Sequence, residues 1–289
     1  MELFDIIKTI LFGIVEGITE WLPISSTGHM ILLNEILPLK IGDSPKEFYS
    51  MFEVVIQLGA IMAVVILFWS QIWPFGKKNN NAPLKENGIG AWIKTDIFAL
   101  WFHILVSTVP AAVIGILFDD VFEKLFYNYE TVAIMLIIFG IAFIIVETMH
   151  EGKEYRIDSL KEIGYDTALL IGMFQLIAAV FPGTSRSGAT IVGALLIGVS
   201  RTVAAEYTFF LAIPVMFGAS ILKLFKFGFH FTGTEAFILI LGMVVAFVVS
   251  LFVIKFLMGY IKKHNFIVFG WYRIVLGVIV LGCGIAGLL

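Results

Sequence analysis

The sequence is short of charged residues and of cysteine, and both shortages restrict what the chain can be. Asp, Glu, Lys and Arg form 14% of its 289 residues, whereas soluble domains contain about 25%. The net charge is -3 and no basic stripe occurs, which excludes nucleic acid as a partner. The single cysteine, Cys283, lies in an apolar C-terminal run and excludes a disulfide framework or a cysteine-based metal site.

Apolar residues are abundant instead. They account for 60% of the chain, and 28 residues are Phe. A soluble globule of this size has too little interior to bury that much apolar surface. The composition therefore predicts an all-α polytopic membrane protein, with a single membrane domain over 1–289. At roughly 20 residues a span, the chain has room for about eight to ten spans.

Two apolar segments are interrupted by polar residues, whereas six others are not. The uninterrupted runs are 48–72, 97–118, 131–146, 204–224, 236–254 and 266–287. The segment 2–38 breaks at Pro23, and the segment 165–199 breaks at Pro182. A helix, a polar break and a short helix are typical of a re-entrant hairpin.

The two interrupted segments are related by a shift of 159 residues, from Pro23 to Pro182. The same shift aligns three further pairs: Gly13 with Gly172, Glu16 with Gln175, and Ser26 with Ser185. The chain is therefore predicted to contain two repeats, about 1–149 and 160–289, each with a re-entrant hairpin and three transmembrane helices. A re-entrant hairpin returns the chain to the side of the membrane from which it entered, whereas three spans leave it on the opposite side. The second repeat is therefore expected to be inverted.

Loop charges predict the orientation in the membrane. Lys and Arg are more frequent on the side that carries the loops 76–94 and 150–163 than on the other side. The positive-inside rule makes that side cytoplasmic. Both chain ends and the opening of the first break are then expected outside.

Two carboxylates precede the first break. Glu16 and Glu20 are four residues apart on one helix and share a face. A carboxylate inside a membrane is costly and is functional by default. A pair wetted by headgroups at the interface is the ordinary alternative, but Glu20 is followed by the break rather than by an external loop.

Polar residues after the first break favour an anion site. Ser25 or Ser26 can cap a second short helix, followed by Thr27 and Gly28, and His29 is expected to face the two serines. The N-terminus of such a helix presents free N–H groups and partial positive charge. Each residue alone suits ordinary capping or an interior histidine, but together, beside two carboxylates, they indicate a site.

The second break supplies a cation. Arg186 offers a planar fork that matches phosphate oxygens, and its place at a helix start argues against snorkelling to headgroups. Hydroxyl residues and a glycine surround it: Gly183, Thr184, Ser185, Ser187 and Thr190. The combined site favours a phosphate-type anion. The paired carboxylates then require either a divalent cation, Mg²⁺ or Ca²⁺, held by Glu16 and Glu20, or a role as proton acceptor, and the spacing leaves both open.

Three strings resemble a known family. Residues 16–29 (EGITEWLPISSTGH) and 182–190 (PGTSRSGAT) look like the two signature motifs of the undecaprenyl-diphosphate phosphatases, the bacitracin-resistance membrane phosphatases, and residues 52–59 (FEVVIQLG) resemble them too. The similarity covers essentially the whole chain. It implies a bacterial plasma-membrane enzyme that removes the terminal phosphate of undecaprenyl diphosphate. The product carries peptidoglycan precursors, and the site opens to the outer face. Because bacitracin sequesters the diphosphate, extra enzyme would confer resistance.

The resemblance and the residues together suggest roles. Ser26 is the expected nucleophile, with Ser25 second, and His29 or Glu20 accepts its proton. Direct attack by water, with Ser26 only a ligand, is the alternative. Substrate-binding residues are expected in both breaks and at two glutamines: Ser25, Thr27, Gly28, Gly183, Thr184, Ser185, Ser187, Thr190, Gln175 and Gln57. A homodimer is among the expected partners. A secondary transporter or flippase of an anionic phospholipid is the competing function, because broken helices in inverted repeats are the general plan of transporters.

Overall fold

The computed structural model describes residues 3–78 and 80–288, and the described part is helical, as predicted. Two 3₁₀ turns and three isolated bridges accompany the α-helices. The α-helices in chain order are α1 Leu3–Thr19, α2 Ser26–Ile36, α3 Pro45–Val55, α4 Gln57–Leu67, α5 Trp69–Ile72, α6 Thr95–Phe126, α7 Tyr129–Met149, α8 Tyr165–Val180, α9 Arg186–Leu196, α10 Arg201–Phe227, α11 Gly233–Ile261 and α12 Ile267–Ile285.

Six segments among the described residues are long and apolar enough to cross a membrane. They correspond to the six uninterrupted runs, so the prediction of a multi-pass membrane protein is confirmed. The segments are Pro45–Leu67, Thr95–Phe118, Tyr129–Met149, Arg201–Phe227, Gly233–Ile261 and Ile267–Ile285.

The first of these spans differs from its prediction. The run 48–72 is divided into three helices: the helix is interrupted at Ile56, whose dihedral angles stay helical, and again at Phe68, whose angles do not. Beyond the first interruption, α4 lies close against α11, with Gly59 directly against the carbonyl of Met243. A side chain at Gly59 would occupy the position of that carbonyl, so the close approach requires glycine.

Both interrupted segments contain the expected break between two helices. In the first, α2 folds back against α1, and in the second, α9 folds back against α8. The following helices also match in order, since three spans follow each pair. Contacts between the two halves are matched as well: α1 packs on α11, α8 packs on α6, and α7 packs on α12.

The caps of α2 and α9 correct the alignment of the two halves. Ser25 caps α2 by accepting a hydrogen bond from the N–H of Gly28, and Ser185 caps α9 in the same way. Ser185 is therefore equivalent to Ser25, and Ser26 is equivalent to Arg186. The alignment of Ser26 with Ser185 was wrong, because the second break has one more residue between its proline and its cap. The shift is 159 before the breaks and 160 after them.

A buried ion pair joins three helix ends at the far end of the structure from the first break. Glu147, at the end of α7, accepts hydrogen bonds from Arg201 Nε at 2.9 Å and from the backbone N–H of Phe266 at 2.9 Å. These contacts connect the end of α7 to the starts of α10 and α12. Glu147 is 2% exposed and so is shielded from solvent, whereas Arg201 is partly exposed; the pair holds these ends in register.

Candidate active site

Both breaks place a serine in a conformation that favours glycine. Ser25 has φ 74° and Ser185 has φ 66°, and they are the only non-glycine residues with positive φ among those described. Such a conformation costs about 1–3 kcal/mol and concentrates at functional sites. Each serine is the N-cap of a short helix. Its strained conformation turns the chain sharply from the break into that helix.

The carboxylate of Glu20 joins the two breaks. Ser26 Oγ donates a hydrogen bond to Glu20 Oε2 at 2.9 Å, and Arg186 Nη2 donates to Glu20 Oε1 at 2.8 Å. The side chains of Arg186 and Glu20 are 12% and 8% exposed. The structure therefore brings a hydroxyl, a carboxylate and a guanidinium together in a largely buried place, which suits proton transfer from an alcohol beside a bound anion.

Arg186 is held by the backbone as well as by Glu20. Its Nη1 donates to the carbonyl of Thr208 at 3.0 Å. Its Nε is buried and has no hydrogen-bond partner among the described residues. A buried N–H of a guanidinium without a partner is costly, so this atom is available to an anionic ligand.

His29 contacts its surroundings through both ring nitrogens. Nδ1 lies 2.8 Å from the carbonyl oxygen of Ser25, and Nε2 lies 2.7 Å from the hydroxyl of Tyr272. A carbonyl only accepts, so Nδ1 carries the proton, and in the neutral ring Nε2 accepts from Tyr272. The expectation that His29 faces the serine hydroxyls needs correction: it contacts the carbonyl of Ser25, and Glu20 is the group bonded to Ser26.

Glu16 lies one turn before Glu20 on α1 and is 1% exposed. Both of its carboxylate oxygens are buried without a hydrogen-bond partner among the described residues. Glu20, Glu53 and Arg186 are the charged groups near it. No group of three or more His, Cys, Asp or Glu within the described ranges has the arrangement of a metal site. A cation at Glu16 would therefore need oxygens from a ligand or from water.

Hydroxyl groups of the second break hold the breaks together. Ser187 Oγ donates to the backbone carbonyl of Glu20 at 3.2 Å, and it also lies 3.1 Å from Ser185 Oγ. Thr190 Oγ1 donates to the carbonyl of Arg186 at 2.9 Å. Ser187 and Thr190 are buried, whereas Ser185 and Arg186 are partly exposed. The first two fix the start of α9, and the last two can meet a ligand.

Comparison with known proteins now identifies the family. A family model described as "Bacitracin resistance protein BacA" matches residues 9–279. The chain belongs to this family. It is 63% identical to an undecaprenyl-diphosphatase of Desulfitobacterium hafniense, over 97% of this chain and 96% of the relative. It is also 62% identical to undecaprenyl-diphosphatase 1 of Clostridium acetobutylicum, over 97% and 98%, and 50% identical to an undecaprenyl-diphosphatase of Streptococcus mutans, over 99% and 98%.

Four further residues predicted for this BacA-family site take no part in the hydrogen bonds of Glu20 described above. Gln175 Nε2 donates to the carbonyl of Ser107, where α8 meets α6. Gln57 is the first residue of α4 and is partly buried. Thr27, in the first turn of α2, is also partly buried, whereas Gly28 is buried against Leu136.

Arg273 was not predicted from the sequence. It lies on α12, is fully buried, and donates hydrogen bonds to backbone carbonyls of both breaks. A signal was available, because a charged residue inside an apolar span is functional by default. Tyr272, the partner of His29, was missed too, and no signal in the sequence distinguishes it from the aromatic residues that face lipid.

A cavity of about 960 Å³ lies beside α2 and α3. Tyr49 on its wall donates to the carbonyl of Met30, the residue after His29, at 3.2 Å. The cavity therefore runs along α2 from the neighbourhood of the site. Its charged and phenolic lining consists of Glu35, Lys40, Lys46, Glu47, Tyr49, Glu53 and Tyr127.

Proposed function

We propose that this protein hydrolyses undecaprenyl diphosphate to undecaprenyl phosphate and inorganic phosphate in the bacterial plasma membrane. Close relatives named undecaprenyl-diphosphatase support the substrate. The observation that carries the chemistry is the single carboxylate, Glu20, bonded to the hydroxyl of Ser26 and to Arg186. The reaction recycles the lipid carrier of peptidoglycan synthesis, and extra enzyme confers bacitracin resistance.

The nucleophile in this proposal is Ser26. Its Oγ attacks the terminal phosphorus while Glu20 takes the hydroxyl proton, and the bond from phosphorus to the bridging oxygen breaks. Undecaprenyl phosphate leaves with that oxygen, and a phosphoserine remains. The departing undecaprenyl phosphate carries that proton away from Glu20, so the carboxylate can accept another one. Glu20 then deprotonates the water that attacks the phosphoserine, and the bond from phosphorus to Ser26 Oγ breaks. Ser26 takes the proton back from Glu20, and inorganic phosphate leaves. The hydroxyl of Ser25 is engaged in capping α2, which supports Ser26 as the nucleophile.

The diphosphate is proposed to lie between the N-termini of α2 and α9. Each helix contributes partial positive charge and free N–H groups to an anion. Arg186 adds a full charge, and its unpartnered Nε supports a contact with phosphate oxygen. Thr27 and Ser185, partly exposed at the two helix starts, can donate to the same anion, while Gly28, Gly183 and the buried hydroxyls shape the backbone.

A divalent cation is proposed at Glu16. Mg²⁺ is commonly held by one or two carboxylates together with phosphate oxygens of the substrate, and Ca²⁺ also takes oxygen ligands. The two unpartnered oxygens of Glu16 suit this donor set, whereas both oxygens of Glu20 already accept hydrogen bonds. When bound, such an ion neutralises negative charge on the diphosphate.

The proposed topology has two inverted repeats, about 1–149 and 160–289, with re-entrant breaks at 2–38 and 165–199. The repeated order of helices and their matched packing support it, and so does the loop charge. In this arrangement the site and the cavity beside α2 open outside, and both termini are outside. A homodimer stays a prediction, which the mass of the detergent-purified protein tests.

Phosphate release in detergent separates this function from transport. The purified chain is expected to release phosphate from undecaprenyl diphosphate, and Glu20→Gln should release far less. Transport cannot occur in a micelle, so release there requires hydrolysis. An intact diphosphate in detergent, together with movement of labelled lipid across vesicles, would instead favour the flippase, which the convergence of two broken helices also suits.

A further inference from the structure

Arg273 is a buried cation whose partners are backbone carbonyls. Nη1 donates to the carbonyl of Pro23 at 3.3 Å, and Nη2 donates to those of Gly183 and Thr184 at 3.0 and 2.6 Å. Pro23 lies in the first break, and the other two lie in the second. One guanidinium thus joins the backbone of the two breaks, which are also connected through Ser187 and through the pair of Glu20 and Arg186.

No carboxylate pairs with Arg273 among the residues described, although three ion pairs occur elsewhere in them. Its Nε also has no hydrogen-bond partner in the described part of the chain. Removing a cation from water costs several kcal/mol even after relaxation. An apolar residue would pack at this buried position without that cost. The cation therefore has a role other than packing.

The two halves differ at this place. Gly28 and Gly188 are equivalent, since each donates to the capping serine of its short helix. A Cβ at Gly28 would meet Leu136 of α7 at 3.2 Å, whereas a Cβ at Gly188 would meet Nη1 of Arg273 on α12 at 2.7 Å. Leu136 therefore packs against α2 at the first of these positions, whereas Arg273 places a guanidinium against α9 at the second.

We propose that Arg273 is a positioning residue for the phosphatase reaction: it locks the backbone of the two breaks together and so fixes the placement of Ser26 and Glu20 relative to Arg186. The inference rests on the proposed function. The lock requires the planar fork, because three carbonyls in different directions cannot be satisfied by the single nitrogen of lysine in the same geometry. Its contribution is to orientation, since the side chain is 0% exposed and does not reach a ligand.

The test compares Arg273→Lys and Arg273→Met with Arg201→Lys. Arg201 is also an arginine that joins separate helices, but its partner is the carboxylate of Glu147, at a different set of helix ends. Both Arg273 variants are expected to lose about 100-fold in kcat, as a displacement of about 1 Å at reacting atoms does, with KM for undecaprenyl diphosphate little changed. Arg201→Lys is expected to lower the unfolding temperature while kcat stays near that of the wild type.

Rescue by lysine would overturn the proposal, because it would mean that charge alone is needed. An unchanged kcat in Arg273→Met would overturn it as well. If neither variant folds, Gly188→Ala is the second variant: its methyl group displaces Nη1 of Arg273 without removing the guanidinium. It is expected to lower kcat in the same way, and full activity there would count against the lock.

A distance measurement separates this inference from the phosphatase function. Spin labels at Ile36 and Leu196, the exposed last residues of α2 and α9, report the relative position of the short helices in a Cys283→Ser background. Arg273→Met is expected to broaden or shift their distance distribution. An unchanged distribution would refute the lock even if the wild type is an active phosphatase. A wild type without activity would refute only the function, and a broadened distribution would still support the lock.

Discussion

Glu20 and Arg186 are 166 residues apart in the chain, yet their side chains meet at 2.8 Å. The carboxylate that is placed to accept the proton of Ser26 is therefore also the counter-ion of the guanidinium that is placed to bind phosphate. In the proposed complex, Arg186 keeps its hydrogen bond to Glu20 and meets the diphosphate through Nε, which has no partner among the described residues.

Replacing the two serines of the first break distinguishes nucleophile from cap. Ser26→Ala is expected to lower kcat by about 10³-fold or more, because the covalent route disappears. Ser25→Ala removes a helix cap and should lower stability by about 1 kcal/mol, with a smaller loss of activity. Rapid quenching with labelled diphosphate should trap phosphate on Ser26 of the wild type. A protein that turns over normally without any labelled serine would indicate direct attack by water.

Arg186→Lys tests the need for a fork. We expect a loss of about 100-fold in kcat, since a point charge cannot bond Glu20, the carbonyl of Thr208 and the phosphate together. Steady-state phosphate release measures the effect. Lys223→Arg, near the end of α10, is a matched control with the reverse exchange and is expected to be active. Turnover of Arg186→Lys close to that of the wild type would place the guanidinium away from the phosphate.

Glu16→Gln tests the proposed cation. With the wild type, chelation of divalent ions should abolish activity, and Mg²⁺ or Ca²⁺ should restore it. The variant is expected to need at least about 10-fold more of the ion for half-maximal activity, as loss of a group that supports a metal does. Titration of the stripped protein with each ion measures the shift. Full activity of the wild type in excess chelator would contradict the assignment.

Glu147→Ala tests the ion pair at the helix ends. Its removal leaves Arg201 partly buried without its partner and the N–H of Phe266 without its acceptor. We expect a loss of about 2 kcal/mol of stability, below the range for fully buried pairs because Arg201 is partly exposed. Thermal unfolding in detergent measures it. The activity of the folded fraction should be retained, and a loss of kcat without a loss of stability would contradict a purely structural role.

Much of the fold could be predicted because the membrane imposes strong constraints on sequence. Spans must be long and apolar, so six of them were evident, and polar breaks inside apolar segments are rare enough to mark Ser26, Glu20 and Arg186. The interruption at Ile56 escaped prediction because it lies within a segment that is long and apolar enough to form a single span. The contact that follows it, between Gly59 of α4 and Met243 of α11, is tertiary.

The parts of the site that were missed depend on the meeting of distant elements. Arg273 and Tyr272 lie in the last span, and their partners lie about 90 and 240 residues away, so only the packing of α12 reveals their contacts. The one-residue error in the repeat has a local cause. The extra residue in the second break is accommodated by Gly183 at φ 86°, and alignment by proline alone cannot detect it.

The loop 150–163 is the one covalent connection between the segment that carries Ser26 and the segment that carries Arg186. A protein severed between Gly152 and Lys153 would consist of two pieces, each with its own short helix and half of the ionic arrangement. Neither piece has a hydroxyl, a base and a guanidinium together. Turnover would then depend on reassociation in the bilayer, and co-expression of the pieces would recover what each lacks alone.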